Sequence, residues 1–108
     1  MLKNGNRVLV TGSGVISPIG NDTELFWKNL TAGVSGAAPI TRFDATGLET
    51  HFACEVKGFT TEGIIDRKDA KRMDRFVQYA VAASHEAIRK AGLDLDTENL
   101  ERVGVILG

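Results

Sequence analysis

The chain has 108 residues, with 13 Lys and Arg against 14 Asp and Glu, 12 Gly, 2 Pro and a single Cys. At 43% hydrophobic and 25% charged it has the composition of a globular protein, which excludes a disordered or collagen-like chain. One cysteine, Cys54, makes neither an internal disulfide nor a Cys-based zinc site, so a reducing cytoplasm is the expected compartment. No apolar run reaches the ~20 residues that span a bilayer, and Val8-Leu9-Val10 is too short for the core of a signal peptide. A formal net charge of -1 removes any global electrostatic argument for nucleic acid.

In chain order, Arg7-Val8-Leu9-Val10-Thr11 is a β-rich apolar run ending at Gly12-Ser13-Gly14, which predicts a buried strand entering a tight turn. Val15-Ile16 then leads into a loop marked by Ser17-Pro18 and Gly20. Asn21 followed three residues later by Glu24 has the spacing of a capping box, and Leu25, Phe26 and Leu30 make an apolar stripe. A helix is predicted over residues 22–31, stopped by Gly33 in a left-handed conformation. Residues 34–48 lack a period and read as irregular. Phe52 to Val56 predicts a short strand ended by Gly58.

The longest element is predicted from Asp66 to Gly92. Met73, Phe76, Val77, Ala80, Val81, Ser84, Ala87, Ile88 and Ala91 fall on one face at 100° per residue, so a flat surface should pack there. Asp74 can itself serve as an N-cap, which allows a break between Lys71 and Asp74. After an acidic connection, Arg102 to Gly108 is apolar at consecutive positions, as in a parallel strand buried on both faces. The order β, α, β, α, β predicts the α/β class with a parallel sheet. A buried strand at Gly108 with no chain after it predicts that these residues are the front part of a larger domain, against the alternative of a true terminus.

Few residues carry a chemical signal. In a G-x-G-x-x-G fingerprint starting at Gly12 and Gly14, the third glycine would fall at Ser17, and the helix starts only after Asn21. A strained structural turn is therefore expected rather than a nucleotide loop, and no cofactor is predicted. His51 and His85 lack the companions of a metal site, and His85 reads as a surface or boundary residue. Cys54 in a candidate strand reads as a small packed hydrophobe. Asp94, Asp96 and Glu98 imitate a calcium loop, but Asn99 stands at its turn glycine and Val105 at its bidentate Glu. No residue is assigned a catalytic role.

The basic residues are more informative. Arg67, Lys68, Lys71, Arg72 and Arg75 are five of the thirteen cations. On a continuous helix Lys68, Lys71, Arg72 and Arg75 form one outward stripe, roughly opposite the Met73–Phe76–Val77 face. A solvated face with i,i+3 partners, Asp69 to Arg72 or Lys71 to Asp74, accounts for the pattern. So does a binding stripe for an anion or acidic partner, since Lys68/Arg72 and Lys71/Arg75 are repelling i,i+4 pairs. Nucleic acid is disfavoured because no aromatic residues interleave the cations.

The segments RVLVTGSGVISPIG from Arg7, WKNLTAGVSG from Trp27 with Arg42-Phe43-Asp44 after it, IIDRKDAKRMDRFVQYAVAASHEAIRKAGL from Ile64 and the final ERVGVILG together resemble the β-ketoacyl-[acyl carrier protein] synthases. Met73-Asp74-Arg75-Phe76-Val77-Gln78-Tyr79-Ala80 is more similar to the synthase II type than to synthase I. The resemblance is collinear over nearly the whole chain. It implies that residues 1–108 are the N-terminal part of a thiolase-like, layered αβαβα fold, incomplete in this chain and usually homodimeric. The implied reaction is decarboxylative Claisen condensation in fatty-acid synthesis. A Cys thioester is attacked by the carbanion of malonyl carrier protein, with two His residues assisting. None of those three residues has a counterpart in this sequence, so the chain alone should be inactive. Lys68, Lys71 and Arg72 match the surface that receives the acidic acyl carrier protein. A free-standing module that binds an acidic carrier through the same residues is the alternative.

Overall fold

The computed structural model describes Gly5 and residues 7–108, so the start of the predicted 1–108 segment lies outside the described residues. In chain order it contains helix α1 (Thr23–Thr31), strands β1 (Ala38–Pro39) and β2 (Phe52–Ala53), helix α2 (Arg67–Ala70), helix α3 (Arg75–Ala91) and a single 3-10 turn (Leu100–Arg102). Among the described residues, no helix is long and apolar enough to cross a membrane.

Helix α1 lies where the sequence predicts it, but its cap is one residue later. The Asp22 carboxylate accepts the Leu25 N–H at 2.7 Å, whereas Asn21 is diverted, its side-chain amide donating to the Lys57 carbonyl at 2.7 Å. A charged acceptor at the positive end of the helix is a better cap than a neutral amide. Gly33 supplies the left-handed stop at φ 69°.

The single long helix expected from Asp66 to Gly92 is instead two helices, parted where the sequence allows a break. Helix α2 ends at Ala70, residues 71–74 form a turn, and Asp74 in an extended conformation starts α3. The orphan carbonyls at the break are taken up by Gln78, whose side-chain amide donates to Ala70 O at 2.8 Å and Met73 O at 3.2 Å. That explains why an amide is buried in α3, since carbonyls left without partners would cost the segment its dry packing. Gly92 at φ 65° closes α3, and Leu93 N–H returns to Ile88 O at 3.3 Å.

The face of α3 buried by this chain differs from the predicted apolar one. Gln78, Ala82 and Glu86, spaced by four, are the buried residues of α3, and Ala82 (3% exposed) is the one buried apolar residue among those described. At 100° per residue their line runs on the opposite side from Phe76, Ser84 and Ile88. Phe76 is 70% exposed, and Val81, Ser84 and Ile88 are exposed too. The predicted face is therefore covered only in part: Met73, Val77, Ala80, Ala87 and Ala91 are half-buried, and the segment at residues 12–14 lies over Ala87 and Ala91.

Residues 12–14 rest on α3 at Ala83, Ala87 and Ala91, and the two glycines make this contact by having no side chain. A Cβ on Gly12 would lie 2.7 Å from Ala91 N and 3.0 Å from the Ala91 Cβ. One on Gly14 would lie 2.8 Å from the Ala83 carbonyl carbon and 3.0 Å from Ala87 N. Ala83, Ala87 and Ala91 recur every four residues, so small residues on the helix meet alternate glycines on an extended segment. The expected strained turn is therefore corrected: neither Gly12 nor Gly14 has a positive φ, and close backbone approach is what requires them.

The predicted strands are corrected as well. Among the described residues the sheet is a two-residue antiparallel ladder, Ala38 with Ala53 and Pro39 with Phe52, so the region read as irregular supplies one strand and the 52–56 strand shrinks to its first two residues. Residues 7–11 and 103–108 belong to no strand among the described residues. Without a neighbouring ladder, Val8 and Val10 are 88% and 92% exposed and Ile106 is 96% exposed. The radius of gyration is 17.9 Å, against roughly 13 Å for a compact domain of this length. The accessible surface is 9147 Å², where a compact monomer of 11.6 kDa exposes roughly 5,800 Å².

Two outcomes follow from this open packing. The 108-residue polypeptide on its own should bind an apolar dye and sediment as an associated species through the runs at 8–10 and 105–107; a dye-silent monomer would contradict the exposed surfaces. Gly14→Ala should cost about 3 kcal/mol by forcing α3 away. The exposed Ser13→Ala should be close to neutral in the same chemical-unfolding measurement.

Candidate functional site

Lys68 lies in α2, Lys71 caps its end, and Arg72 follows in the turn; all three are exposed. The break after Ala70 means that the predicted continuous stripe does not form. Among the described residues, ion pairs are those of Lys90 with Glu86 and Glu24, so none of the five cations between Arg67 and Arg75 is neutralised by a carboxylate. The i,i+3 partners offered by Asp69 and Asp74 are not taken up. Asp66 spends a carboxylate oxygen on capping α2, accepting Lys68 N–H at 2.8 Å.

An open groove of about 890 Å³ separates residues 59–66 from the ends of α2 and α3. Phe59, Ile64, Ile65, Arg67, Lys71 and Arg75 line it, together with Glu62 and Asp66, whereas Lys68 and Arg72 do not. The basic residues thus divide into two sets, with Arg67, Lys71 and Arg75 on the groove and Lys68 and Arg72 off it. The Arg75 guanidinium is held 5.6 Å from the Phe59 ring centre and 5.8 Å from that of Tyr79. Those two rings meet edge to face at 4.9 Å and 88°. Arg42 fixes the far side of the pair by donating from Nη2 to the Tyr79 hydroxyl at 3.1 Å. The Glu55 carboxylate in turn orders the Arg42 backbone, accepting from Arg42 N and Thr41 N at 3.3 Å and from Thr41 Oγ1 at 2.6 Å. The Thr41 hydroxyl bond chiefly holds the Glu55 carboxyl below its ordinary range.

The other polar centre is Glu86, 8% exposed in the middle of α3. One carboxylate oxygen accepts Val15 N–H at 3.0 Å. The other accepts Thr23 N–H at 2.9 Å, the Thr23 hydroxyl at 2.8 Å and the Lys90 ammonium at 2.9 Å. Lys90 also donates to the Thr23 hydroxyl. Thr23 is the first residue of α1, so the carboxylate meets orphan donors at the positive end of that helix. Burial pushes the Glu86 carboxyl up, but the bonds from Thr23 N, Lys90, Val15 N and the Thr23 hydroxyl outweigh it and bring the pKa from 4.5 down to about 2. The i,i+4 spacing of Glu86 and Lys90 is the signal in the sequence for half of this cluster; its partners Val15 and Thr23 are remote and leave none.

The remaining candidates stay apart. His85 is exposed on α3, as expected, and His51 is exposed beside β2. Cys54 is exposed rather than packed, because the strand expected to bury it ends at Ala53. Asp94 makes a local turn, accepting Asp96 N–H at its side chain and Thr97 and Glu98 N–H at its carbonyl. Among the described residues, no group of three metal-ligating side chains converges.

Comparison with known proteins gives a consistent result. The family described as "Beta-ketoacyl synthase, N-terminal domain" matches residues 5–108. The chain is 45% identical over 107 residues to a 3-oxoacyl-[acyl-carrier-protein] synthase 2 of Staphylococcus aureus (strain COL), covering 99% of this chain and 26% of the relative. It is 48% identical over 102 residues to the protein of the same name from Vibrio cholerae, covering 94% and 25%. Among solved structures it is similar to the ishigamide ketosynthase/chain length factor, with a TM-score of 0.74, 46% identity, and coverage of 82% of this chain and 22% of that one. The chain therefore spans about a quarter of the length of these relatives, and its α/β fold is that of the ketosynthase neighbour.

The Glu86 cluster makes stability depend on pH with a fixed sign. Its folded pKa lies below its ordinary value, so the stabilisation is complete above pH 4.5 and is lost as the pH falls toward 2. The span corresponds to about 3 kcal/mol. Glu86→Gln should destabilise the fold at pH 7 by a similar amount and abolish this part of the acid slope. An unchanged slope in unfolding curves taken from pH 6 to pH 2 would show that the carboxylate does not carry it.

Proposed function

The chain belongs to the beta-ketoacyl synthase family, and we propose that it is the N-terminal segment, residues 1–108, of a synthase II-type condensing enzyme of fatty-acid synthesis. The supporting observation is the collinear identity of 45% and 48% to two 3-oxoacyl-[acyl-carrier-protein] synthases 2 over nearly all of the chain. In this reading the enzyme accepts an acyl group from its carrier on a Cys nucleophile and decarboxylates malonyl carrier protein. The resulting carbanion attacks the thioester, lengthening the chain by two carbons. Cys54, His51 and His85 take no part, and the nucleophile and its two His partners are supplied by polypeptide outside this segment. The enzyme works as a cytoplasmic homodimer.

The segment's own share is the docking of the acidic carrier protein on Lys68, Lys71 and Arg72. Their exposure and the absence of ion-pair partners among the described residues support this, since an anionic partner meets cations that need not first be released from carboxylates. Charge near contact speeds encounter, and its effect falls with added salt.

The full-length enzyme, given acyl and malonyl carrier proteins, should release carbon dioxide and form a 3-oxoacyl product. With Lys68→Glu, Lys71→Glu and Arg72→Glu combined, the KM for carrier protein should rise more than about tenfold while kcat moves little. No condensation product from the unaltered enzyme would overturn the assignment, and an unchanged KM would overturn the docking role.

A further inference from the structure

We propose that the groove beside α2 is part of the carrier-docking surface, with Arg75 as its fixed cation. It takes an acidic, amphipathic segment of the partner, with a carboxylate on Arg75 and an apolar side chain on Ile64. This rests on the docking reading above and extends it to residues outside Lys68, Lys71 and Arg72.

Three observations carry it. The first is charge. Arg67, Lys71 and Arg75 line the groove against Glu62 and Asp66, and Asp66 is engaged in capping α2, so the groove keeps a cationic excess that favours an acidic occupant. The second is the exposed apolar surface beside those cations: Ile64 is open to solvent next to Phe59 and Ile65, which suits the apolar side of an amphipathic segment rather than a free inorganic anion.

The third is preorganisation. A free arginine loses rotamer freedom when it binds, but Arg75 is already held between Phe59 and Tyr79, and Tyr79 is held by Arg42. Stacking on rings leaves the guanidinium charge unspent, unlike pairing with a carboxylate. Lys71, on the groove, adjoins Arg72 in the chain and so stands at the junction of the two sets. One acidic partner resting on Lys68 and Arg72 therefore reaches Arg75 through it.

The test uses the full-length enzyme and acyl carrier protein. Arg75→Gln should raise the KM for the carrier about five- to tenfold, mainly through KM rather than kcat, and the ratio to the unaltered enzyme should shrink as salt is added. Phe59→Leu keeps the charge but loosens it, and should give a smaller rise of about two- to threefold. A loss of turnover with Arg75→Gln that persists on acyl-pantetheine, which has no carrier protein to dock, would mean a folding role and overturn the proposal. An unchanged KM for Arg75→Gln, with Lys68→Glu/Arg72→Glu still raising it, would overturn this inference and leave the docking reading intact. Unchanged KM values for both would overturn the two together.

Discussion

The arrangement depends on one carboxylate. Glu86 receives donors from the loop after the glycines, from the first turn of α1 and from its own helix. In a domain with a full apolar core, such a contact would be one of many. Here the described residues bury a single apolar side chain, Ala82, one turn before Glu86. Hydrophobic burial is non-directional and grows with area, so a small buried area leaves position underdetermined. Directional hydrogen bonds to a charged group supply what the area does not. Two backbone N–H groups, a hydroxyl and an ammonium converging on two oxygens leave little freedom in how α1 and residue 15 sit on α3. Removing the charge would also strand those donors, which is why its loss costs more than one ordinary hydrogen bond.

The glycines and alanines set the distance across which that tether works. With no Cβ at Gly12 and Gly14, the extended segment comes within contact of the α3 backbone, and Val15 N–H reaches the Glu86 carboxylate. The two devices act on different lines of α3: Glu86 on the Gln78–Ala82–Glu86 line, and the glycines on Ala83, Ala87 and Ala91 about 100° further round. Between them they leave Phe76, Val81 and Ile88 open, along with the apolar runs at 8–10 and 105–107. Helix α3 is thus held by a polar contact and a close-packed one, while the larger side chains of its apolar stripe stay exposed.

How much of this the sequence showed depended on whether the deciding partner was local. The break at residues 71–74, the stops at Gly33 and Gly92 and the extent of α1 all follow from neighbours within a few positions, and were legible. The N-cap was misplaced by one residue because Lys57, thirty-six positions away, recruits the Asn21 amide. The buried side of α3 was misread because periodicity records which face is apolar, not which face this stretch of chain covers. The spacing of Gly12 and Gly14 showed that nucleotide binding was unsupported, but not that a helix seventy residues later would need their missing side chains. The strands at either end were legible as apolar extended segments; ladders need neighbours, and none stands beside them among the described residues.

The basic residues show how a local signal was right in kind and changed in geometry. On a continuous helix, Lys68 and Arg72 would repel, as would Lys71 and Arg75, and carboxylates three positions away would be drawn in to relieve them. The turn at 71–74 removes the regular i,i+4 relation, so neighbouring aspartates are not needed as partners: Asp66 caps α2, and Asp74 opens α3. Gln78, which closes the carbonyls of that turn, therefore has an electrostatic consequence as well as a structural one. By holding the break, it turns Lys71 and Arg75 toward the groove and leaves Lys68 and Arg72 off it. A net charge of -1 over the whole chain conceals this, because Asp69 and Asp74 offset only two of the five cations between 67 and 75 and the other balancing anions lie outside that stretch. What matters for an approaching acidic surface is the field within a Debye length, about 8 Å at physiological ionic strength. Over that distance the cations between 67 and 75 act together, unpaired by any described carboxylate.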